Sequence, residues 1–469
     1  MLFNSIEYLI FLPIVFIIYW LLKSNYRNQN ILLLVASYVF YGWWDYRFLS
    51  LIIFSSFLDY FVGLKIESAQ DQKKKKQWLL VSLCSNLGLL GVFKYYNFFA
   101  DSFSSVMSTV GWEVDSLTLN IILPVGISFY TFQTLSYSID IYRNQIKASK
   151  DIVGFFTYVS LFPQLVAGPI ERASNLMPQI EGKRTLNNSL IKTGLFQIFI
   201  GLFRKVAIAD NLGVYVDSVY ANQEIHNGST LLVATIFYAF QIYFDFSGYS
   251  DIAIGSAKLF GFNFNRNFNF PYFSKTLTEF WRRWHMSLSF WLRDYLYISL
   301  GGNRKGIVIT YRNLLLTMLL GGLWHGSSWN FVIWGGIHGL FLSLEKYTFS
   351  VFKIKTFNAF GYIYTFIVVI IAWVFFRATD FSSAWAIVGK ILSLDYGSLF
   401  IGNINSFINA LLLMCLGLLI DLKIFRSKIP LEDYGNKYST ITLSIIISVF
   451  IMILCLFYST AENFIYFQF

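Results

Sequence analysis

The sequence holds 469 residues, 56% of them hydrophobic and 13% charged, with a formal net charge of +10 and a mean hydropathy of +0.55. Soluble globular chains carry about 25% charged residues, and apolar runs recur here from end to end, so one anchored soluble domain is a poor fit. Lys and Arg collect in the cytoplasmic loops of membrane proteins, which accounts for the positive balance without nucleic acid.

Only helices and closed barrels satisfy their backbone groups in lipid, and these runs are long without period-two alternation, so the expected class is all-α, polytopic and integral to the membrane. The first run, 6–22, has no Lys or Arg before it. A secretory signal would have a basic start and a small-residue cleavage site, so this run reads as a retained helix. Further candidate spans are 30–45, 47–64, 78–93, 117–138, 153–169, 189–208, 229–246, 310–324, 330–345, 361–376, 406–421 and 440–458. Some are shorter than a full crossing of about 20 residues, so the expectation is about eleven true crossings plus re-entrant or interfacial helices. The organisation reads as one domain over 1–469: scaffold helices in 1–150, a motif block in 240–345 and further scaffold in 360–469.

Loop charge sets the orientation. Lys65 and Lys73 to Lys76 mark a cytoplasmic loop under the positive-inside rule. Counting spans from there places Lys23 and Arg27 inside, the N-terminus outside, Asp101, Glu113 and Asp115 outside, and Arg143, Lys147 and Lys150 inside. The lysine run also fits a lipid-headgroup patch. Cys84, Cys415 and Cys455 lie in apolar stretches without a CxxC pair and read as buried, inert thiols.

The block 241–345 departs from the membrane pattern. Asp245 and Asp251 read as closing an apolar span, where ionisable groups face a cavity or a partner; the plainer alternative pairs Asp245 with an Arg at a polar helix end. The polar and aromatic stretch 263–271 cannot span and reads as an interfacial or cavity-lining segment. Residues 278–294, with Arg282, Arg283 and His285, read as an amphipathic helix at the membrane surface or dipping into the protein. His226, His285, His325 and His338 are the only four histidines. His226 sits in a polar loop and reads as solvated. His325 and His338 lie in segments apolar enough to be intramembrane, beside glycines that permit close backbone approach and tryptophans that wall a site or belt an interface.

Three chemistries can be weighed. Metal-binding histidines on one helix sit four apart, whereas 338 − 325 is 13. On a straight helix that spacing puts the rings roughly 140° and 20 Å apart, so without a chain break they cannot share a metal. Ser250 in Gly248-Tyr-Ser-Asp-Ile lacks the last glycine of a nucleophile elbow. General base catalysis remains: a desolvated imidazole stays neutral and accepts a proton from an attacking hydroxyl. An activated thioester then needs no protein nucleophile, and His285 or Asn330 could orient the carbonyl or the developing oxyanion. A transporter without covalent chemistry is the competing class. The crowding of polar motifs into one block, without two matching halves, weighs against it.

The strings LPVGISFYTFQ (123–133), FPQLVAGP (162–169), YFDFSGYSD (243–251), FWRRWH (280–285), LWHG (323–326) and FIYFQF (464–469) together resemble the membrane-bound O-acyltransferase family, in its bacterial alginate O-acetyltransferase-like branch. The resemblance implies a ring of helices around a thinned centre with a funnel from each face. It places the family's near-invariant histidine on His325 and a second motif position on His285, with His338 common in this branch. Asn330, Trp324, Asp251, Arg282 and Arg283 enter as supporting candidates, and no metal is expected. It further implies a cytoplasmic acyl-thioester donor such as acetyl-coenzyme A, no bound cofactor, and surrounding membrane lipid. The implied partner is an extracytoplasmic serine-esterase-like acyltransferase that esterifies an exported polysaccharide or peptidoglycan across a bacterial cytoplasmic membrane. Acyl transfer to teichoic acid, a lipid or a peptide stays open beside this.

Overall fold

The computed structural model describes residues 1–112, 118–166, 168–354, 357–393, 396–458 and 464–465. Glu113, Asp115, Ala167 and Tyr466 to Phe469, which figure in the expectations above, lie outside the described residues. Among the described residues all regular structure is helical and no strand occurs. Six helical stretches among the described residues are long and apolar enough to cross a membrane, Tyr26–Ser68, Gln72–Thr109, Gly228–Leu259, Ile307–His325, Phe360–Arg377 and Ile404–Ser427, and shorter apolar helices cover Ile6–Leu21, Phe381–Leu392 and Thr440–Leu456. The expected count of about eleven took in shorter segments as well. Large apolar side chains such as Leu412 and Leu419 remain more than 60% exposed, as a lipid-facing surface requires.

The chain divides into two compact units, residues 1–187 with 257–264, and residues 188–256 with 265–469. In the first, helices start at ordinary caps: Ser5 Oγ accepts from the Tyr8 amide and Asn25 Oδ1 from the Arg27 amide. Its interior is tied by a buried carboxylate. Asp59 accepts from Ser82 Oγ at 2.5 Å, Ser138 Oγ at 2.8 Å and Asn86 Nδ2 at 2.7 Å. Those partners come from helices Gln72–Leu90 and Ile127–Tyr142, so one acid fastens three helices where lipid offers no competing partner. Two expected spans of this unit are corrected. The span 117–138 becomes a helix only at Ile127, after Pro124 and Gly126 (φ +77°); a Cβ on Gly126 would meet the Leu165 carbonyl oxygen at 2.7 Å. The span 153–169 breaks at Leu161 into Ile152–Ser160 and Phe162–Leu165, because Pro163 favours a helix start over a helix interior.

In the second unit, helix Asn188–Leu202 widens into a π-helical segment, Phe203–Ala209, and continues as Asp210–Tyr220. That segment carries two buried cations. Arg204 pairs with both Asp251 and Asp421, and Tyr243 donates to the second Asp421 oxygen at 2.7 Å. Lys205 lies 2.6 Å from Asp210 and 2.8 Å from Asp245. This corrects the reading of Asp245 and Asp251 as closing a span: helix Gly228–Leu259 runs on for 32 residues, and both acids sit within it, balanced by Lys205 and Arg204. The partner of Asp245 is thus a lysine. Two further corrections follow from packing. His226 is buried, its ring 4.7 Å from that of Phe400, and the three cysteines are exposed at the protein surface.

Candidate active site

The segment 278–294 does not form one amphipathic helix. It divides into Leu277–Trp281, Met286–Trp291 and a π-helical stretch, Leu292–Tyr297. The first piece is pinned at its N-terminus by Glu345, whose carboxylate accepts from the Leu277 amide at 2.7 Å and from the Thr278 amide and hydroxyl at 3.1 and 2.7 Å. A carboxylate at a helix N-terminus meets both the free amides and the positive end of the dipole. Between the first two pieces stands His285 in the left-handed region, φ 40° and ψ 55°. A non-glycine residue rarely takes that conformation unless its surroundings enforce it. The strap Asn267 to Asn269 enforces it here: the Met286 amide donates to the Asn267 carbonyl at 2.8 Å, and the Asn269 amide to the Arg283 carbonyl at 2.9 Å.

His325 ends helix Ile307–His325. The chain turns extended at Gly326, and a new helix begins at Trp329. The break supplies the condition under which His325 and His338 can approach, so the estimate of roughly 20 Å for a straight helix does not apply. The two helices pack face to face at glycines. A Cβ on Gly322 would meet the Phe331 carbonyl oxygen, and one on Gly335 the Met318 carbonyl oxygen, each at 2.1 Å. Backbone cannot yield as a side-chain tip can, so Gly335→Ala should force the pair apart. Overpacking typically costs about 1–3 kcal/mol, read as a lowered thermal midpoint of the detergent-solubilised protein together with reduced activity.

The three histidines then gather within one aromatic wall. The ring of His285 lies 6.2 Å from that of His325 and 5.9 Å from Trp324. Trp334 stands 5.0 Å from both His325 and His338. Phe246 closes on His285 at 4.7 Å and Phe376 on His325 at 5.5 Å. His285 and His338 are fully buried, and His325 is 3% exposed. The indole N–H of Trp281 faces His338 Nδ1 at 3.3 Å. An indole can only donate, so Nδ1 accepts and the neutral ring carries its proton on Nε2. Among the described residues no group of three His, Cys, Asp or Glu could hold a metal ion.

The supporting candidates divide. Trp324 belongs to the wall, 5.1 Å from His325. Asn330 is buried and donates to the Ala378 carbonyl at 2.9 Å, which ties helix ends together. Asp251 belongs to the Arg204 ion network. Arg283 pairs with Glu279 at 2.7 Å and lies over the Phe425 ring, while Arg282 is exposed. Asn267, whose side chain reaches His285 Nδ1 at 3.1 Å, was not singled out by the sequence. The Asn-rich stretch around it reads only as polar lining, and nothing in its spacing singles out one asparagine.

The chain matches the model of the MBOAT, membrane-bound O-acyltransferase family over residues 33–385. It is 45% identical over 395 residues to a protein named "Probable alginate O-acetylase AlgI" in Pseudomonas putida, covering 84% of this chain and 80% of the relative. It is 38% identical over 426 residues to a peptidoglycan O-acetyltransferase of Helicobacter pylori, covering 83% and 79%. Likeness to a teichoic acid D-alanyltransferase of Bacillus subtilis is 28% over 241 residues, covering 49% and 60%. A polytopic helical chain with these matches belongs to the membrane-bound O-acyltransferase family and is a membrane acyltransferase.

Proposed function

We propose that this enzyme moves acetyl groups from a thioester toward O-acetylation of an exported polysaccharide, with His325 as the general base. The observation that carries this reading is the gathering of His285, His325 and His338 in one water-poor aromatic enclosure, with the first two rings 6.2 Å apart. His325 accepts the proton of an attacking hydroxyl as its oxygen bonds to the acyl carbon. The carbon–sulfur bond then breaks, and the imidazolium returns the proton to the departing thiolate. The water-poor enclosure strengthens each hydrogen bond made in the transition state. His285 is the second polar group at the reacting carbonyl, His338 and Trp324 wall the enclosure, and Asn330, Asp251 and Arg283 support the fold around it.

The donor in this reading is acetyl-coenzyme A or another acyl thioester, presented on the cytoplasmic side of a bacterial cytoplasmic membrane, with the N-terminus extracytoplasmic. The loops with Lys65, Lys73 to Lys76, Arg143, Lys147 and Lys150 support that orientation. The acyl group passes to an extracytoplasmic serine-esterase-like partner. Acetyl rather than D-alanyl transfer is favoured by the wider match to acetylating relatives, 84% of the chain at 45% identity against 49% at 28%. Mass spectrometry of polymer esters from a strain lacking this chain tests the assignment. Loss of acetyl ester from the exopolysaccharide or peptidoglycan fraction is expected; intact acetyl ester with loss of D-alanine from teichoic acid would overturn it.

A further inference from the structure

Asn267 is 1% exposed, and its side chain meets four groups. Its Oδ1 accepts from the Ser287 amide at 3.3 Å and from Ser287 Oγ at 2.9 Å, and it faces His285 Nδ1 at 3.1 Å. Its Nδ2 donates to Ser250 Oγ at 3.1 Å. A backbone amide can only donate, so the atom facing Ser287 must be the carbonyl oxygen; the flipped amide would set two donors against each other. The same oxygen faces His285, so Nδ1 there must carry the proton, and Nε2 is the lone-pair nitrogen of the neutral ring. Through its main chain the same residue holds the left-handed turn at His285, accepting the Met286 amide. His338, which accepts the Trp281 indole at Nδ1, therefore takes the opposite tautomer.

We infer that Asn267 is a positioning residue that fixes both the ring orientation and the tautomer of His285, aiming an Nε2 acceptor into the enclosure shared with His325. This rests on the proposed acyl-transfer role of His285, and it restricts that role. In the resting enzyme His285 can take a proton or accept a hydrogen bond at Nε2, and it can stabilise an oxyanion there only after gaining a proton. Every partner of Asn267 is a donor, or a hydroxyl able to turn into one. An aspartate at this position would therefore keep the arrangement, and a leucine of similar size would abolish it.

The direct test is nitrogen NMR of the full-length protein in lipid, labelled at its four histidines, with His285→Asn used to assign the signal. His285 is expected to show a protonated Nδ1 and a bare Nε2; a bare Nδ1 with the proton on Nε2 would overturn the inference, whatever the activity. Acetyl transfer supplies the second reading. Partners that orient a metal-bound imidazole contribute about 10- to 100-fold; taking the same scale for this metal-free ring, Asn267→Leu should lose turnover by about that factor, with the apparent thioester KM within about threefold. Asn267→Asp should restore most of it. Equal losses in the two variants at equal folded protein would also count against the inference. Wild-type turnover in His325→Ala would instead sink the acyl-transfer reading and leave the tautomer assignment standing.

Discussion

His325→Ala should remove acetyl ester from the exported polymer while the protein accumulates normally in the membrane. A positioned general base contributes about 10²–10⁴-fold, so at least a 100-fold fall in ester is expected from this one change. The His325 ring packs against Trp334 and Phe376, so its loss leaves a cavity, but the helix pair stays joined at Gly322 and Gly335, and the protein level in the membrane separates lost folding from lost chemistry. Groups that act as a unit are not additive. His285→Ala should therefore cost a comparable factor, and the double variant little more than the worse single one. Ester content measured against membrane protein level, for both singles and the double, checks this. Multiplying losses would mean that the two rings, 6.2 Å apart, serve separate steps.

The second large effect concerns the fold. Arg204→Met leaves Asp251 and Asp421, both at most 6% exposed, without the cation that binds them. Removing one partner of a buried pair costs about 3–5 kcal/mol, because the remaining charge stays buried and uncompensated. With total stability commonly about 5–15 kcal/mol, the variant should fail to accumulate or should lose its sharp thermal transition. Replacing all three charges together, Arg204→Met with Asp251→Asn and Asp421→Asn, should recover much of the folded protein, since the loss lies in the imbalance. Fluorescence-detected size-exclusion chromatography of the single and triple variants measures it. A single variant as stable as wild type would show that the network contributes nothing.

The fold class and the three histidines that the structure brings together were legible because the signals were strong. Apolar runs of spanning length force helices, and a residue type used four times in 469 positions stands out when three copies fall in one block. What was misread involved tertiary partners. Asp245 and Asp251 look like a span's end because acids in lipid are costly, yet Arg204 and Lys205, inside another predicted span, compensate them and the helix continues. His325 and His338 look distant only on an unbroken helix. The run Gly326-Ser-Ser before Trp329 was the available signal, a helix stop followed by a fresh N-cap, and it outweighs the apolar composition on either side. Residues 278–294 have helical amphipathicity, but the strap from Asn267 to Asn269 bends them at His285, and no local pattern reports a partner 18 residues away. Asn267 itself was hidden among Asn263, Asn265 and Asn269, each equally polar and equally spaced.

The most direct measurement is turnover of a radiolabelled acetyl thioester by the purified protein in lipid nanodiscs, wild type against His325→Ala, with a hydroxyl acceptor supplied. The account predicts acceptor-dependent loss of thioester in the wild type and none above background in the variant. Thioester consumption by the variant at the wild-type rate would contradict it.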